Sequence, residues 1–126
     1  MSEISTPNAP RPAGYYSQAI GHDNLVYVSG QLSIDPAAGE KKVGQIEEQT
    51  EQVLQDLDGI LKAAGCGTDQ VIKTTVYISG MELWGQVNTV YSRFFGEHRP
   101  VRAVVPTRNL YFGFQVEIEA IATTEK

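Results

Sequence analysis

The longest periodic pattern of apolar residues runs from residue 45 to residue 64 and predicts a helix. Spacings of three, four and seven residues place its apolar side chains on one helical face. These side chains are Ile46, Val53, Leu54, Leu57, Ile60, Leu61 and Ala64. Glu47 and Glu48 lie in the first turn, where the helix dipole favours negative charge, and Gly65 follows as a C-terminal cap. A second stretch, residues 83–95, has the same helical pattern.

Runs rich in β-branched and aromatic residues predict strands elsewhere in the chain. The clearest runs are residues 25–29, 71–79, 101–105 and 116–122. A further short strand is expected within 14–20, before a turn at 21–24, and Gly30 is expected to end the strand that starts at Leu25. The turn-rich connection 31–44 has room for one more short strand.

The predicted order of strands, helix, strand, helix and strands indicates an α+β fold with both helices on one face of a sheet. The chain of 126 residues fits one domain, residues 1–126. Residues 1–13 contain three prolines and are expected to form an extended N-terminal arm. Because the helices cover one sheet face only, the other face needs a partner, and we expect an oligomer.

Charge and cysteine content narrow the classes of function. The chain has 10 basic and 15 acidic residues, a formal net charge of −5, whereas proteins that bind phosphate backbones usually present a basic face. We therefore expect no nucleic-acid partner. Cys66 is the only cysteine, which excludes an intrachain disulfide and suits a reducing compartment. With no secretory-type apolar segment and no run of membrane-spanning length, a cytoplasmic location is expected.

Motifs for metal or cofactor chemistry are absent from the sequence. His22 and His98 are isolated and lack a metal-ligand spacing such as HExxH. There is no GxSxG turn, no GxGxxG and no complete phosphate-binding loop. The sequence therefore predicts no metal site and no cofactor.

The predicted strand 101–105 is unusual because it carries a permanent cation. Alternation along a strand places Arg102 and Val104 on one side, and Val101, Ala103 and Val105 on the other. This pattern would let the strand be buried on the valine side and present the guanidinium on the opposite side.

Two carboxylates share one side of the last predicted strand. Glu117 and Glu119 alternate with Val116 and Ile118, and two interpretations stay open. Arg102 could form a cross-strand ion pair with one of them, which contributes under about 1 kcal/mol when exposed. Alternatively, the guanidinium could clamp the carboxylate of a small acid while a glutamate orients or deprotonates a water.

A series of short motifs, spread from about Asn8 to Ala122, resembles the reactive intermediate deaminases, the Rid or YjgF family. The motifs are Asn8-Ala-Pro10, Gly14-Tyr-Tyr-Ser-Gln18, Val28-Ser-Gly-Gln31, Ala63-Ala-Gly65, Val71-Ile-Lys-Thr-Thr-Val76, Val87-Asn88, Tyr91, Phe94-Phe95, Pro100-Val-Arg-Ala103 and Val116-Glu-Ile-Glu-Ala-Ile-Ala122. The resemblance implies a chorismate-mutase-like fold, with a mixed six-stranded sheet, two helices on one face and homotrimers built around a central barrel. It also implies cofactor-free hydrolysis of enamines and imines, such as 2-aminoacrylate or 2-iminobutanoate, to 2-oxo acids and ammonia in clefts between subunits.

The resemblance assigns roles to eight residues. Arg102 would bind the substrate carboxylate, Glu117 would hold the attacking water, and Tyr16 would close over the substrate. Ser29, Gly30 and Asn88 would line the cleft, and backbone amides near Ala103 and Val104 could bond the substrate. Glu119 is the weaker candidate for holding the water.

Three departures from the family pattern leave the preferred substrate open. Val104 stands where many members carry Cys or Ser, the segment between Phe95 and Pro100 is shorter, and the loop at residues 110–114 is bulkier and more aromatic. Two other functions remain: a non-catalytic binder of small carboxylates, which needs Arg102 but not Glu117, and an endoribonuclease or translation inhibitor.

Overall fold

The computed structural model describes all residues from Met1 to Lys126. The strands are β1 (Ser2–Ile4), β2 (Ala19–His22), β3 (Leu25–Gln31), β4 (Ile34–Asp35), β5 (Glu40–Lys41), β6 (Val71–Ile78), β7 (Val101–Pro106) and β8 (Val116–Thr123). The α-helices are α1 (Ile46–Ala63) and α2 (Trp84–Phe95), and single 3₁₀ turns form at Thr68–Gln70, Met81–Leu83 and Tyr111–Gly113.

Six of the strands form one mixed sheet in the order β1-β2-β3-β8-β6-β7. All neighbours are antiparallel except β6 and β7, which run parallel because α2 connects them. The other two strands, β4 and β5, pair as a separate small hairpin. The predicted α+β class, with a six-stranded mixed sheet and two helices, is confirmed.

The core lies between the helices and one face of the sheet. Alternate residues of β8 are buried there: Val116, Ile118, Ala120 and Ala122. They share one apolar cluster with the stripe of α1 predicted from its periodicity. The residues between them on β8, including Glu117 and Glu119, are only half-buried on the open face. Neither helix is long and apolar enough to cross a lipid bilayer.

Local structure differs from the sequence expectations in the first third of the chain. Ser2–Ile4 pairs with β2, so the N-terminal arm begins as a strand at the sheet edge. The strand expected within 14–20 starts only at Ala19. The connection 31–44 holds a hairpin of two strands instead of one strand.

The expectation that Gly30 ends β3 is wrong. The strand continues to Gln31, and its pairing with β8 shifts between Val28 and Gln31. Val28 lies opposite Ala120 and Gln31 opposite Ile118, so β3 carries one extra residue there, which is a β-bulge. The strand therefore does not stop at Gly30.

Candidate active site

Arg102 is held against α2 by three residues of that helix. Its Nη1 donates a hydrogen bond to Oδ1 of Asn88 at 3.0 Å, and its guanidinium carbon lies 4.6 Å from the ring centre of Trp84 and 4.9 Å from that of Tyr91. Spacings of four and three residues put these side chains on one helical face. The Tyr91 hydroxyl is fixed by a 2.7 Å hydrogen bond with Thr74. The cation is therefore stacked and oriented.

The orientation of β7 is the reverse of the expected one. Val101 is 63% exposed and Ala103 is exposed too, whereas Val104 packs partly against the core. The prediction that the valine side is buried is wrong for the single chain, because α2 covers the side of β7 that carries Arg102 and Val104. Arg102 nevertheless keeps an exposed end beside this helix.

The proposed ion pair between Arg102 and Glu117 or Glu119 is not formed. The salt bridges of the chain join Lys62 to Asp58 and His22 to Asp23.

The sheet register explains why this pair cannot form. Arg102 is level with Thr74 and Ala120, whereas Glu117 is level with Tyr77, three residues further along β6. The carboxylates point to the open face and the guanidinium points to the helix face, so they cannot meet within one chain.

Glu117 has bonding capacity that the chain does not use. It is half-buried on the open face, and none of the side-chain hydrogen bonds of the chain involves its carboxylate. Burial raises the pKa of Glu117 above its ordinary value, and the neighbouring charge of Glu119 raises it further. Glu119 differs, because its Oε1 accepts a 2.7 Å hydrogen bond from the Tyr77 hydroxyl. A carboxylate with free oxygens and a raised pKa suits a general base.

The β-bulge of β3 brings the backbone close to this carboxylate. A β-carbon on Gly30 would collide with Oε2 of Glu117 and lie 2.9 Å from its Cδ. Ser29 is fixed beside it, because its hydroxyl donates to the carbonyl of Ser17 at 2.6 Å and its amide donates to the carbonyl of Gln18 at 2.9 Å. A larger residue at position 30 would therefore force the carboxylate of Glu117 to move away from the strand.

Tyr16 and Gly30 line one cavity of about 390 Å³ at this end of the sheet. Tyr16 is 53% exposed, and its hydroxyl accepts a 3.3 Å hydrogen bond from the amide of Ala13. The loop before β2 therefore places an exposed phenol on the same cavity as the glycine that touches Glu117.

The residues singled out from the sequence fall into two groups. Tyr16, Ser29, Gly30 and Glu117 lie together, and Arg102, Asn88 and Val104 lie together beside α2. Ala103 lies on the open face of β7, which is the edge strand of the sheet next to β6. A single chain therefore does not bring the two groups together.

Sequence reasoning missed Trp84 and treated Tyr91 only as a core residue. Both support the guanidinium of Arg102, and Tyr91 is buried as well. The spacing of Trp84, Asn88 and Tyr91 was the available signal, because it aligns two aromatic rings and an amide on one face of α2.

Groups able to hold a metal or act as a thiol nucleophile are not part of either cluster. No group of three or more His, Cys, Asp or Glu side chains could hold a metal ion. Cys66 is buried, its Sγ donates to the carbonyl of Thr123 at 3.3 Å, and burial raises the pKa of the thiol. A raised thiol pKa disfavours the reactive thiolate.

Comparisons with known proteins match nearly the whole chain. A profile of the family described as Endoribonuclease L-PSP matches residues 6–124. A RutC family protein of Pyrococcus horikoshii is 46% identical over 97% of this chain and 97% of its own. The mouse 2-iminobutanoate/2-iminopropanoate deaminase is 44% identical over 94% of this chain and 88% of its own. The crystal structure of Escherichia coli TdcF with bound serine superposes with a TM-score of 0.94 at 33% identity, covering 99% of this chain and 100% of that one.

Proposed function

The chain belongs to the Endoribonuclease L-PSP family, also known as the Rid or YjgF family, and from this premise we propose that it hydrolyses small reactive imines to 2-oxo acids and ammonia. Relatives named as imine deaminases support this activity. The observation that carries it is the contrast between the two clusters: one holds an oriented guanidinium with spare donors, and the other a carboxylate with unused oxygens.

The reaction needs positioning more than activation, because an imine carbon is already electrophilic. Arg102 binds the substrate carboxylate through donors that Asn88 leaves free, since a guanidinium carries five N–H groups. Glu117 takes one proton from a water as the water oxygen bonds to the imine carbon, and it passes this proton to the imine nitrogen, which gives a carbinolamine. Glu117 then moves the proton of the new hydroxyl to the same nitrogen. The C–N bond breaks, ammonia leaves with both protons of the water, and the carbonyl of the 2-oxo acid remains. An enamine enters the same path after it tautomerises to the imine.

Both clusters take part only if two copies of the chain meet. Arg102 and Glu117 lie on opposite sheet faces, and the open face carries exposed apolar groups, such as Tyr27 at 43% and Val101 at 63%. We propose a homotrimer whose open faces meet around a central barrel. Arg102 of one copy then faces Glu117, Gly30 and Tyr16 of a neighbour.

The proposal is tested with imines made in place by an amino acid oxidase with catalase, or 2-aminoacrylate made by a pyridoxal-phosphate dehydratase. Semicarbazide traps the imine that remains, and a blank without the protein gives the spontaneous hydrolysis. Arg102→Ala should lower kcat/KM by about 30-fold or more, because a charged hydrogen-bonding partner is lost. Glu117→Gln should lower kcat by about 100-fold, the usual contribution of a general base.

Arg99→Ala is the matched control, since Arg99 is exposed three residues before Arg102 and contacts neither cluster. Arg102→Ala protein that hydrolyses the imine at the wild-type rate would exclude the proposed mechanism.

A second candidate is a non-catalytic binder of small carboxylates. The observation that favours it is that Trp84, Asn88 and Tyr91 orient Arg102 without any help from Glu117. Calorimetry with a 2-oxo acid separates the two functions. Binding that survives Glu117→Gln, with no acceleration of imine loss by the wild type, would favour the binder. Cleavage of RNA by nuclease-free protein, abolished in Arg102→Ala, would favour the third function, an endoribonuclease.

A further inference from the structure

The cavity beside Gly30 has a part that the proposed chemistry does not use. Its volume is about 390 Å³, within the range of roughly 300–1,000 Å³ typical of small-molecule sites. Gly30 lines the cavity and also touches the carboxylate of Glu117. The cavity therefore reaches the glycine against which the proposed general base lies. In the proposed function Arg102 binds the carboxylate of the substrate and Glu117 holds the attacking water. The part of an imino acid that still lacks a binding site is its side chain.

One wall of the cavity consists of two exposed aromatic residues that precede β8. Tyr111 is 74% exposed and Phe112 is 60% exposed, which is unusual for adjacent large apolar side chains with no interaction to serve. Phe112 has a φ of 58°, a left-handed conformation that non-glycine residues seldom adopt. Such strain persists where surrounding contacts enforce it, often at binding sites.

Contacts on both sides of Phe112 hold its ring in place. Phe114, which is 1% exposed, packs against it edge to face, with ring centres 6.2 Å apart. Lys41 of β5 places its Nζ 4.3 Å from the centre of the ring. The aromatic wall is thus fixed to the core and to the β4–β5 hairpin, which also lines the cavity through Ile34.

The opposite wall is fixed by one buried amide. Gln18 is 4% exposed; its Oε1 accepts from the amide of Thr6 at 2.8 Å, and its Nε2 lies 3.1, 3.2 and 2.9 Å from the carbonyls of Thr6, Ala9 and Pro10. These contacts tie the N-terminal arm to the loop that carries Tyr15 and Tyr16. The cavity is therefore bounded by two anchored segments and is preformed.

We propose that this cavity receives the side chain of the imino acid, and that Tyr111 and Phe112 select imines with a large apolar or aromatic side chain. This inference rests on the proposed deaminase function. The methyl group of 2-iminopropanoate leaves most of the cavity unfilled, whereas a benzyl or isobutyl group buries its surface against both rings. The stabilisation grows with the apolar area removed from water, so discrimination of about tenfold or more is expected.

The test compares imines formed by one D-amino acid oxidase, with catalase, from D-alanine, D-leucine and D-phenylalanine. The imino carbon is planar, so the configuration of the parent amino acid does not matter. We expect wild-type kcat/KM to be at least about tenfold higher for the leucine and phenylalanine imines. The double substitution Tyr111→Ala, Phe112→Gly should remove this preference, because kcat/KM falls at least about tenfold more for the leucine and phenylalanine imines than for 2-iminopropanoate. Glycine accepts the φ of 58° without strain.

Ile72→Ala serves as the matched control, because Ile72 is 42% exposed but lies outside this cavity. A wild type that prefers 2-iminopropanoate would overturn the inference. So would a double variant that loses activity equally on all three imines.

A binding measurement keeps this test separate from that of the deaminase function. Calorimetry with pyruvate and phenylpyruvate, the products of the two extreme substrates, needs no turnover. Tighter binding of phenylpyruvate that disappears in the double variant supports the subsite even if no imine is hydrolysed. Equal affinity for the two 2-oxo acids overturns the inference even if the protein is an active deaminase.

Discussion

At the scale of single residues, Arg102 and Glu117 both have hydrogen-bonding capacity that their own chain does not use. The guanidinium donates one hydrogen bond to Asn88 and stacks on two rings, which restricts its geometry and leaves donors free. The carboxylate has a raised pKa and no hydrogen-bond donor in the chain. A cation with fixed orientation and a carboxylate with unused oxygens suit anchoring and proton transfer, respectively.

The raised pKa of Glu117 predicts the acid side of the pH–rate profile. Glu117 must be ionised to take a proton from water, so activity falls as the pH drops through a pKa above the ordinary value for glutamate. Glu119 is the second cause of that shift, after burial. Glu119→Gln removes this negative charge and therefore should move the acid side of the profile to lower pH.

Profiles of kcat/KM for wild type, Glu119→Gln and the exposed control Glu51→Gln measure this effect on one imine. Because all three proteins act on the same compound, protonation of the imine itself cancels from the comparison. An acid side that stays in place in Glu119→Gln would show that Glu117 is not the titrating group.

At the scale of secondary-structure elements, α1 contacts the β4–β5 hairpin through a buried carboxyl group. Asp56 is 1% exposed; its Oδ1 accepts from Gln52 at 2.9 Å, and its Oδ2 has no partner. Burial raises its pKa from 3.8 to about 7; the hydrogen bond from Gln52 and the nearby backbone of Ile34 oppose this rise, and the charge of Asp35 adds to it. The junction is therefore sensitive to pH.

This sensitivity makes Asp56 a stabilising group at low pH only. The folded state binds the proton more tightly than the unfolded chain, so the contribution is full below about pH 4 and is lost as the pH rises through about 7. Between pH 5 and pH 8 the wild type should lose about 2 kcal/mol of unfolding free energy more than Asp56→Asn does.

Urea unfolding at both pH values, in a buffer of constant ionic strength, measures the difference. Asp58→Asn is the control on the same helix, since Asp58 is more exposed and forms a salt bridge with Lys62. A wild type and an Asp56→Asn variant with the same pH dependence would contradict a raised pKa at this position.

Most elements could be predicted from the sequence because their side-chain periodicity reflects burial. The stripe of α1 and the alternation of β8 recur in the structure as buried faces. Strand β1 could not be predicted, because Ser2 and Glu3 carry no apolar signal and their strand forms by pairing with β2. The bulge at Gly30 depends on register with β8, a long-range property that local sequence does not encode.

The candidate site was predictable residue by residue but not in its arrangement. Alternation correctly separates Arg102 from Ala103, yet it cannot say which side of β7 lies under α2. That choice follows from the connection between the parallel strands β6 and β7, which places α2 over one face of the sheet; such connections are almost always right-handed. It is this choice that separates Arg102 from Glu117 and excludes their ion pair.

At the scale of the whole molecule, the chain has one covered and one open sheet face. The open face carries Glu117 and Glu119 together with exposed apolar side chains such as Tyr27. Exposed apolar side chains on a sheet face are typical of a surface that contacts another protein. Association of copies through this face would remove apolar area from water and would bring the two clusters of the candidate site together. The proposed reaction therefore depends on the proposed association, because Arg102 and Glu117 of one site must come from different copies.

Mixed oligomers test this claim most directly. Arg102→Ala and Glu117→Gln are each expected to be nearly inactive alone. When equal amounts are unfolded together and refolded, random mixing gives about one quarter of the sites both an intact Arg102 and an intact Glu117, from different copies. The account predicts recovery of about one quarter of wild-type activity on the same imine. A mixture that stays at the activity of its separately refolded parents would contradict a shared site.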